Sequence, residues 1–268
     1  MTCDKDVPYN LSMIKIIFFD IDNTLIPLGA TQIEPKLINA LHQLQAKGIK
    51  LVLATGRPSF YLPHFDHIHF DAFLTFNGQY CFNATQTIYA NPLSHKDIMT
   101  VLENAKQLHK AVALTTSKKL EATYYQSELE RYFAIANQSM SITNDLHALL
   151  HQDIYQMMIA TKESQDMQVL KNTHHLQIVR WIDFAADIIP LDGGKAKGME
   201  AMIKHYGIHK DETMAFGDGG NDAEMVQFAH IGVAMGNALD QVKAIADYVT
   251  SDVDKDGLIN AFSHFGLL

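Results

Sequence analysis

The feature that most constrains this chain is a run of apolar residues, Ile14 to Phe19, broken only by Lys15 and followed at once by Asp20-Ile21-Asp22. A strand that is apolar on both faces has to be covered on both, which is the situation of a central parallel strand in an α/β sheet. The residues that follow agree. Pro35 to Lys47 carries apolar residues at Leu37, Ile38, Leu41 and Leu44, with Pro at the first helical turn and Gly48 just beyond the end. That spacing predicts an amphipathic helix with its start and stop signals in place. Ile49 to Ala54 and Ala72 to Phe76 are further β-rich runs, so strand, helix and strand form a βαβ unit.

The rhythm breaks in the middle of the chain and then returns. Ser94, with Asp97 three residues on, opens a helix reaching about His109. Short β-like runs follow at Ala111–Thr116, Ile154–Thr161, Gln177–Ile182 and Ala185–Ile189, with helical stretches near Ser127–Ala134 and Glu163–Asn172. After Pro190 the sequence predicts a helix over Lys195–Tyr206, a strand over Thr213–Gly217, a helix over Asn221–Ala229 and a strand over Ile231–Met235. A helix over Ala238–Ala246, a short strand over Tyr248–Thr250 and a last helix near Leu258 complete it. The expected architecture is a doubly wound, mostly parallel Rossmann-like sheet, built from residues 1–81 and 188–268. An α+β domain, residues 82–187, is inserted into it.

Charge and cysteine content narrow the classes. Twenty-one Lys and Arg against thirty Asp and Glu give a formal charge of −9, which argues against a nucleic-acid binder with its basic stripe. It leaves a phosphorylated small molecule open, because local cations and a bound metal decide that. Cys3 and Cys81 support neither a disulfide framework nor a cysteine zinc site, and a reducing compartment is expected. Met1 to Ser12 lacks the basic and apolar regions of a secretory signal, and no apolar run approaches the length of a membrane span. The expected setting is the cytoplasm, without a membrane partner. Met13 stands directly before the first strand, so residues 1–12 read as a disordered extension. Oligomeric state is not legible.

Four motifs fall at predicted strand ends, where open α/β sheets bind ligands. Asp20 and Asp22, two residues apart in extended chain, point the same way. One carboxylate can attack phosphorus while the other moves protons. The plain alternative is a solvated Asp-rich turn with Thr24 as a helix N-cap. Thr55-Gly56-Arg57 offers a hydroxyl and backbone N–H groups at a strand–helix junction, a phosphate cradle or an ordinary turn. Gly193-Gly194-Lys195-Ala196-Lys197-Gly198 offers cations before a helix but lacks the Walker A spacing. Gly217-Asp218-Gly219-Gly220-Asn221-Asp222 offers hard oxygen ligands of the kind Mg²⁺ takes.

Together these motifs resemble the haloacid dehalogenase superfamily, and within it the Cof-type phosphatases that carry an inserted cap of the C2B kind. The resemblance runs from Ile14 to the C-terminal helix. It implies Asp20 as nucleophile and Asp22 as general acid and base. It implies Mg²⁺ held by Asp20, the backbone carbonyl of Asp22 and Asp218, with Asp222 in support. Ile21 (through its N–H), Thr55, Gly56, Lys197 and Asn221 would contact phosphate, and Asn77-Gly78 matches a loop beside the active site. Family members place the lysine directly before a glycine at the helix start, which selects Lys197; Lys195, two residues away, is the alternative. The implied activity is Mg²⁺-dependent hydrolysis of small phosphorylated metabolites, a hexose phosphate first, through an aspartyl-phosphate. A sugar phosphomutase and a non-catalytic phosphometabolite sensor are its rivals on this fold.

Other features are weighed more briefly. Arg180 in the insert is the candidate for substrate recognition, since a guanidinium grips hydroxyls or a second phosphate. Tyr124, Tyr125, Tyr155, Met157, Met158 and Trp181 fit either a substrate pocket or packing of the cap sheet. Asp252 to Gly257 imitates the start of an EF-hand loop, but position twelve is Ser263 where that loop needs Glu. His64, His67 and His69 read as loop residues, not as metal ligands.

Overall fold

The first strand, Ile16–Phe19, is fully buried at all four positions because helices pack against both faces of its sheet. Its side chains alternate between two cores. Ile17 and Phe19 join a cluster with Leu37, Leu41 and Leu44 of helix Pro35–Ala46 and with Phe262 of helix Gly257–His264. Ile16 and Phe18 join a second cluster with Met199 and Met202 of helix Lys195–Tyr206 and Met225 of helix Ala223–Phe228. Cutting Phe18 back to Ala would cost about 3–5 kcal/mol by the usual cost of a buried ring.

The computed structural model describes residues 14–135 and 138–268, so the expected extension at residues 1–12 lies outside the described residues. The larger sheet runs in the order Tyr248–Val249, Ile231–Ala234, Thr213–Gly217, Ile16–Phe19, Lys50–Ala54, Ala72–Thr75, Tyr80–Phe82 and Thr87–Ala90. Its first six strands are parallel; the last two form an antiparallel hairpin on one edge. From the first strand the chain steps to one side through Lys50–Ala54, and from Thr213–Gly217 it steps to the other. The switch point of this doubly wound order lies between Ile16–Phe19 and Thr213–Gly217, and a ligand crevice opens at their carboxyl ends.

The hairpin moves the expected domain boundary. Tyr80–Phe82 and Thr87–Ala90 belong to the larger sheet, so the insert begins after Ala90 rather than at Phe82. Its last strand, Ala185–Pro190, runs past residue 187. The insert has its own six-stranded sheet, ordered Leu176–Ile182, Ala185–Pro190, Gln156–Ile159, Val112–Thr115, Leu120–Ala122 and Ser141–Ile142. Helix His95–Gln107 packs Ile98, Val101 and Ala105 on one face of it. Its N-cap is the expected one: the Ser94 hydroxyl accepts from the Asp97 N–H at 3.1 Å. Helix Ser127–Ile135 brings Leu129, Tyr132 and Phe133 to the other face.

Most remaining expectations hold with trimmed ends. The helix expected from Asn221 begins at Ala223, because Gly220–Asp222 forms a 3₁₀ turn first. Asp252 to Gly257 is the turn between the last strand and the last helix, with Asp256 at φ 60°. Tyr155 stacks on Phe76 with ring centroids 5.6 Å apart, which makes it packing rather than pocket lining. Tyr124 and Tyr125 are exposed. No helix among the described residues is long and apolar enough to cross a membrane.

Candidate active site

All four motifs meet at the switch point. Asp20 continues the first strand and is tied to its neighbour by Asp20 N–H donating to the Phe216 carbonyl at 3.0 Å. The chain then turns sharply, with Leu25 and Ile26 N–H groups donating to the Ile21 carbonyl and Asn23 at φ 62°. The turn buries Thr24 completely, and its hydroxyl donates to Asp218 Oδ1 at 2.9 Å. No helix starts there, so Thr24 is not an N-cap; it ties the first motif to the last.

The cation at the centre is Lys195. Its ammonium donates to Asp20 Oδ1 at 2.6 Å, to Asp222 Oδ1 at 2.5 Å and to the Ala54 carbonyl at 2.8 Å. Its side chain has no exposed area. The expectation of Lys197 is corrected by the same helix. Lys197 lies two residues on, about 200° around the helix axis, and its exposed ammonium pairs with Glu200 at 2.6 Å. The family spacing singled out the lysine before the glycine. Gly198, however, packs on Leu74 and Cys81, so its neighbour Lys197 is carried out to solvent.

Asp222 organises the cluster. Its Oδ2 accepts from the N–H groups of Asp218 and Gly219, each at 2.9 Å, while Oδ1 takes Lys195. Asp20, Asp218 and Asp222 place carboxylate oxygens within 4.8 Å of one another, the one such group of three metal-ligand types among the described residues. Burial raises Asp20 well above the usual carboxylate range, and the nearby Asp222 adds to this against the pull of Lys195. Burial, then Asp222, pushes Asp218 up to about 7. Burial works against the charge on Lys195, but Asp20 and Asp222 outweigh it and raise its pKa. Three carboxylates crowded around one ammonium form a net anionic nest, and a divalent cation relieves that crowding. Lys195 and Thr24 engage one oxygen each of Asp20 and Asp218, and these carboxylates, each with a second oxygen, would be the residues to hold an oxygen-seeking ion.

Asp22 is held differently. Arg57 Nε and Nη2 grip its two oxygens at 2.8 and 2.6 Å, a bidentate pair at the pocket rim. Such forks fix a carboxylate's orientation as well as its position. Thr55 is buried, and its hydroxyl accepts from the Arg57 N–H at 3.1 Å. Gly56 leaves room for Asn77: a Cβ there would stand 3.1 Å from the Asn77 amide. Asn221 Nδ2 donates to Asn77 Oδ1 at 3.0 Å. Above these groups is a cavity of about 230 Å³, floored by Asp20, Thr55 and Asp218 and roofed by Tyr132, Met158 and Asp187 of the insert.

Arg180 stays out of that cavity. Its guanidinium pairs with Asp166 and donates to the carbonyls of Thr161 and Ala185 at 2.7 and 3.0 Å. It is a brace within the insert, not a substrate grip. Sequence reasoning gave no role to Arg57, although its motif was in view. It missed Tyr132, Gln156 and Asp187 altogether, because nothing in their local sequence signals a meeting with residues 55 to 110 positions away.

Residues 17–262 match the family of haloacid dehalogenase-like hydrolases. "Putative phosphatase YkrA" of Bacillus subtilis is 31% identical over 257 residues, covering 95% of this chain and 98% of that protein. The phosphatase BT1666 of Bacteroides thetaiotaomicron is 30% identical, with a TM-score of 0.89 over 99% of this chain and all of that one. The subclass IIB sugar phosphatase BT4131 is 31% identical, with a TM-score of 0.86 over 95% of this chain and all of that one. Sequence and overall fold agree, and the chain belongs to the haloacid dehalogenase-like hydrolases as one of their cap-bearing phosphatases.

Proposed function

We propose that this protein hydrolyses the phosphate monoesters of small metabolites, hexose phosphates first among them, in a Mg²⁺-dependent reaction through an aspartyl-phosphate on Asp20. The observation that carries this reading is the Asp20–Lys195–Asp222 cluster at the switch point, under a roof supplied by the insert. The all-oxygen donor set suits Mg²⁺, with Asp20, Asp218 and the Asp22 carbonyl as the residues to hold it and Asp222 behind them. When bound, such an ion supplies Lewis-acid polarisation of the phosphoryl group.

The residues of the chain divide the remaining work. Lys195 and the N–H groups around Thr55 and Ile21 offset negative charge as phosphate enters. A carboxylate oxygen of Asp20 forms a bond to phosphorus as the bond to the leaving oxygen breaks, and Asp22 delivers a proton to that oxygen. Asp22 then takes a proton from water, the hydroxyl oxygen bonds to phosphorus, and the Asp20–phosphorus bond breaks to release phosphate. Arg57 orients Asp22 at the rim before substrate enters, and one Asp22 oxygen leaves that fork to carry the proton in each step. The insert excludes bulk water and selects the alcohol.

The test is phosphate release from a panel of sugar phosphates, with Mg²⁺ and with EDTA, by the wild type and Asp20→Asn. Mg²⁺-dependent release that Asp20→Asn abolishes is the expected result. Isomerised sugar without free phosphate would favour the mutase, and full activity in Asp20→Asn would sink the mechanism.

A further inference from the structure

A buried carboxylate of the insert sits in the wall of the same cavity without a part in the reaction above. Asp187, on the strand Ala185–Pro190, is 1% exposed. Its Oδ1 accepts from the Tyr132 hydroxyl at 2.5 Å, and its Oδ2 accepts from Asn77 Nδ2 at 2.9 Å. Asn77 Nδ2 also donates to Gln156 Oε1 at 3.1 Å, on the adjacent strand of the insert. The other end of the Asn77 amide, Oδ1, accepts from Asn221. One core side chain therefore stands between two acceptors of the insert and the residue beside Asp222.

What matters is that an amide has a donor end and an acceptor end of nearly the same shape. With the insert seated, two acceptors face Asn77, and only its NH₂ end satisfies them. Oδ1 is then forced toward Asn221, using one Asn221 N–H and leaving the second for a ligand. The backbone at this point cannot adjust. Asn77 is held at φ 52°, and Gly78, at φ 90°, lies so close to Gly194 that a Cβ would stand 2.2 Å from its carbonyl oxygen. Only the side-chain amide is left to change. When the insert lifts and takes its acceptors away, nothing specifies which end of Asn77 faces Asn221.

We propose that Asp187 is a positioning residue that makes the phosphate grip of Asn221 conditional on a seated insert, by fixing the orientation of the Asn77 amide. The proposal rests on the phosphatase reading of Asn221 but is tested by binding as well as by turnover.

The experiment is a residue swap in the full chain. Affinity for inorganic phosphate in the presence of Mg²⁺ is measured by titration calorimetry for wild type, Asp187→Leu, Asn77→Asp and the double variant of Asn77→Asp with Asp187→Asn, with kcat on a hexose phosphate alongside. Asp187→Leu takes the acceptor away from Asn77, and phosphate affinity and kcat each fall about tenfold. Asn77→Asp sets two carboxylates against each other and falls similarly. The double variant restores the contacts to position 187 and to Asn221, because the carboxylate moved to position 77 accepts from the amide moved to position 187 at one oxygen and from Asn221 at the other, and Gln156 meets it by turning its NH₂ toward it. It recovers to within about threefold of wild type. Thermal melting identifies any variant that fails to fold, and Tyr132→Phe, a milder loosening of Asp187, then gives a loss of about threefold in its place. Phosphate affinity within twofold of wild type in natively melting Asp187→Leu overturns the proposal, as does a loss in Asn77→Asp that the swap leaves unrepaired. Absence of hydrolysis in the wild type would overturn the phosphatase reading instead, while the binding series still decides the role of Asp187.

Discussion

Replacing Lys195 with alanine is the most informative perturbation, because sequence and structure disagree about which lysine matters. In the fold, Lys195 is the cation in contact with Asp20 and Asp222, whose side chains are 9% and 1% exposed. Removing it leaves two buried carboxylates facing each other near Asp218. Breaking a buried ion pair from one side costs about 3–5 kcal/mol, since the orphaned charge keeps its desolvation penalty. For a chain of this size that corresponds to a fall of roughly 10 °C in melting temperature, measured in EDTA so that no divalent cation offsets the loss. Phosphate release should fall by about 10³-fold, the scale of removing a preorganised charge-stabilising group. Lys195→Arg should fare little better, since the guanidinium is larger than a slot with no exposed area. Lys197→Ala removes only an exposed pair with Glu200, and both melting and activity should match wild type. The reasoning is refuted if Lys197→Ala loses activity while Lys195→Ala keeps it.

Further outcomes follow from the same contacts. Burial and Asp222 raise Asp218 to about 7, above the value of a free carboxyl, so in EDTA the folded state holds protons that the unfolded state has released. Stability from this group is therefore lost as pH rises from about 4 to about 7, and Mg²⁺ competes with those protons. Melting curves should show Mg²⁺ raising the midpoint more at pH 8 than at pH 5; an equal rise at both would refute this. Arg180→Ala should lower the melting temperature of the insert by several degrees, about 2 kcal/mol for the lost charged hydrogen bonds. The KM for a hexose phosphate should stay within twofold, and a large rise in KM would return Arg180 to the substrate pocket.

The larger sheet was legible because its signals are local. Ile14 to Phe19 is apolar on both faces, and Pro35 and Gly48 bracket a helix with period 3.6. Asp20, Thr55 and Asp218 were legible because strand ends in a doubly wound sheet converge on one crevice. The hairpin Tyr80–Phe82 and Thr87–Ala90 was not, since its strands are three and four residues long and pairing, not pattern, assigns them to the larger sheet.

The sequence by itself determined the parallel strands of the larger sheet, the carboxylates and the class of chemistry, because each is written in residues close along the chain. Tertiary structure decided which lysine faces Asp20, since two positions on a helix differ by more than a half-turn and packing of Gly198 chooses between them. It also decided that Arg57 holds Asp22, that Arg180 braces the insert, and that Asp187 meets Asn77 across 110 residues. Those are contacts between residues that only the folded chain brings together, and no periodicity along the sequence encodes them.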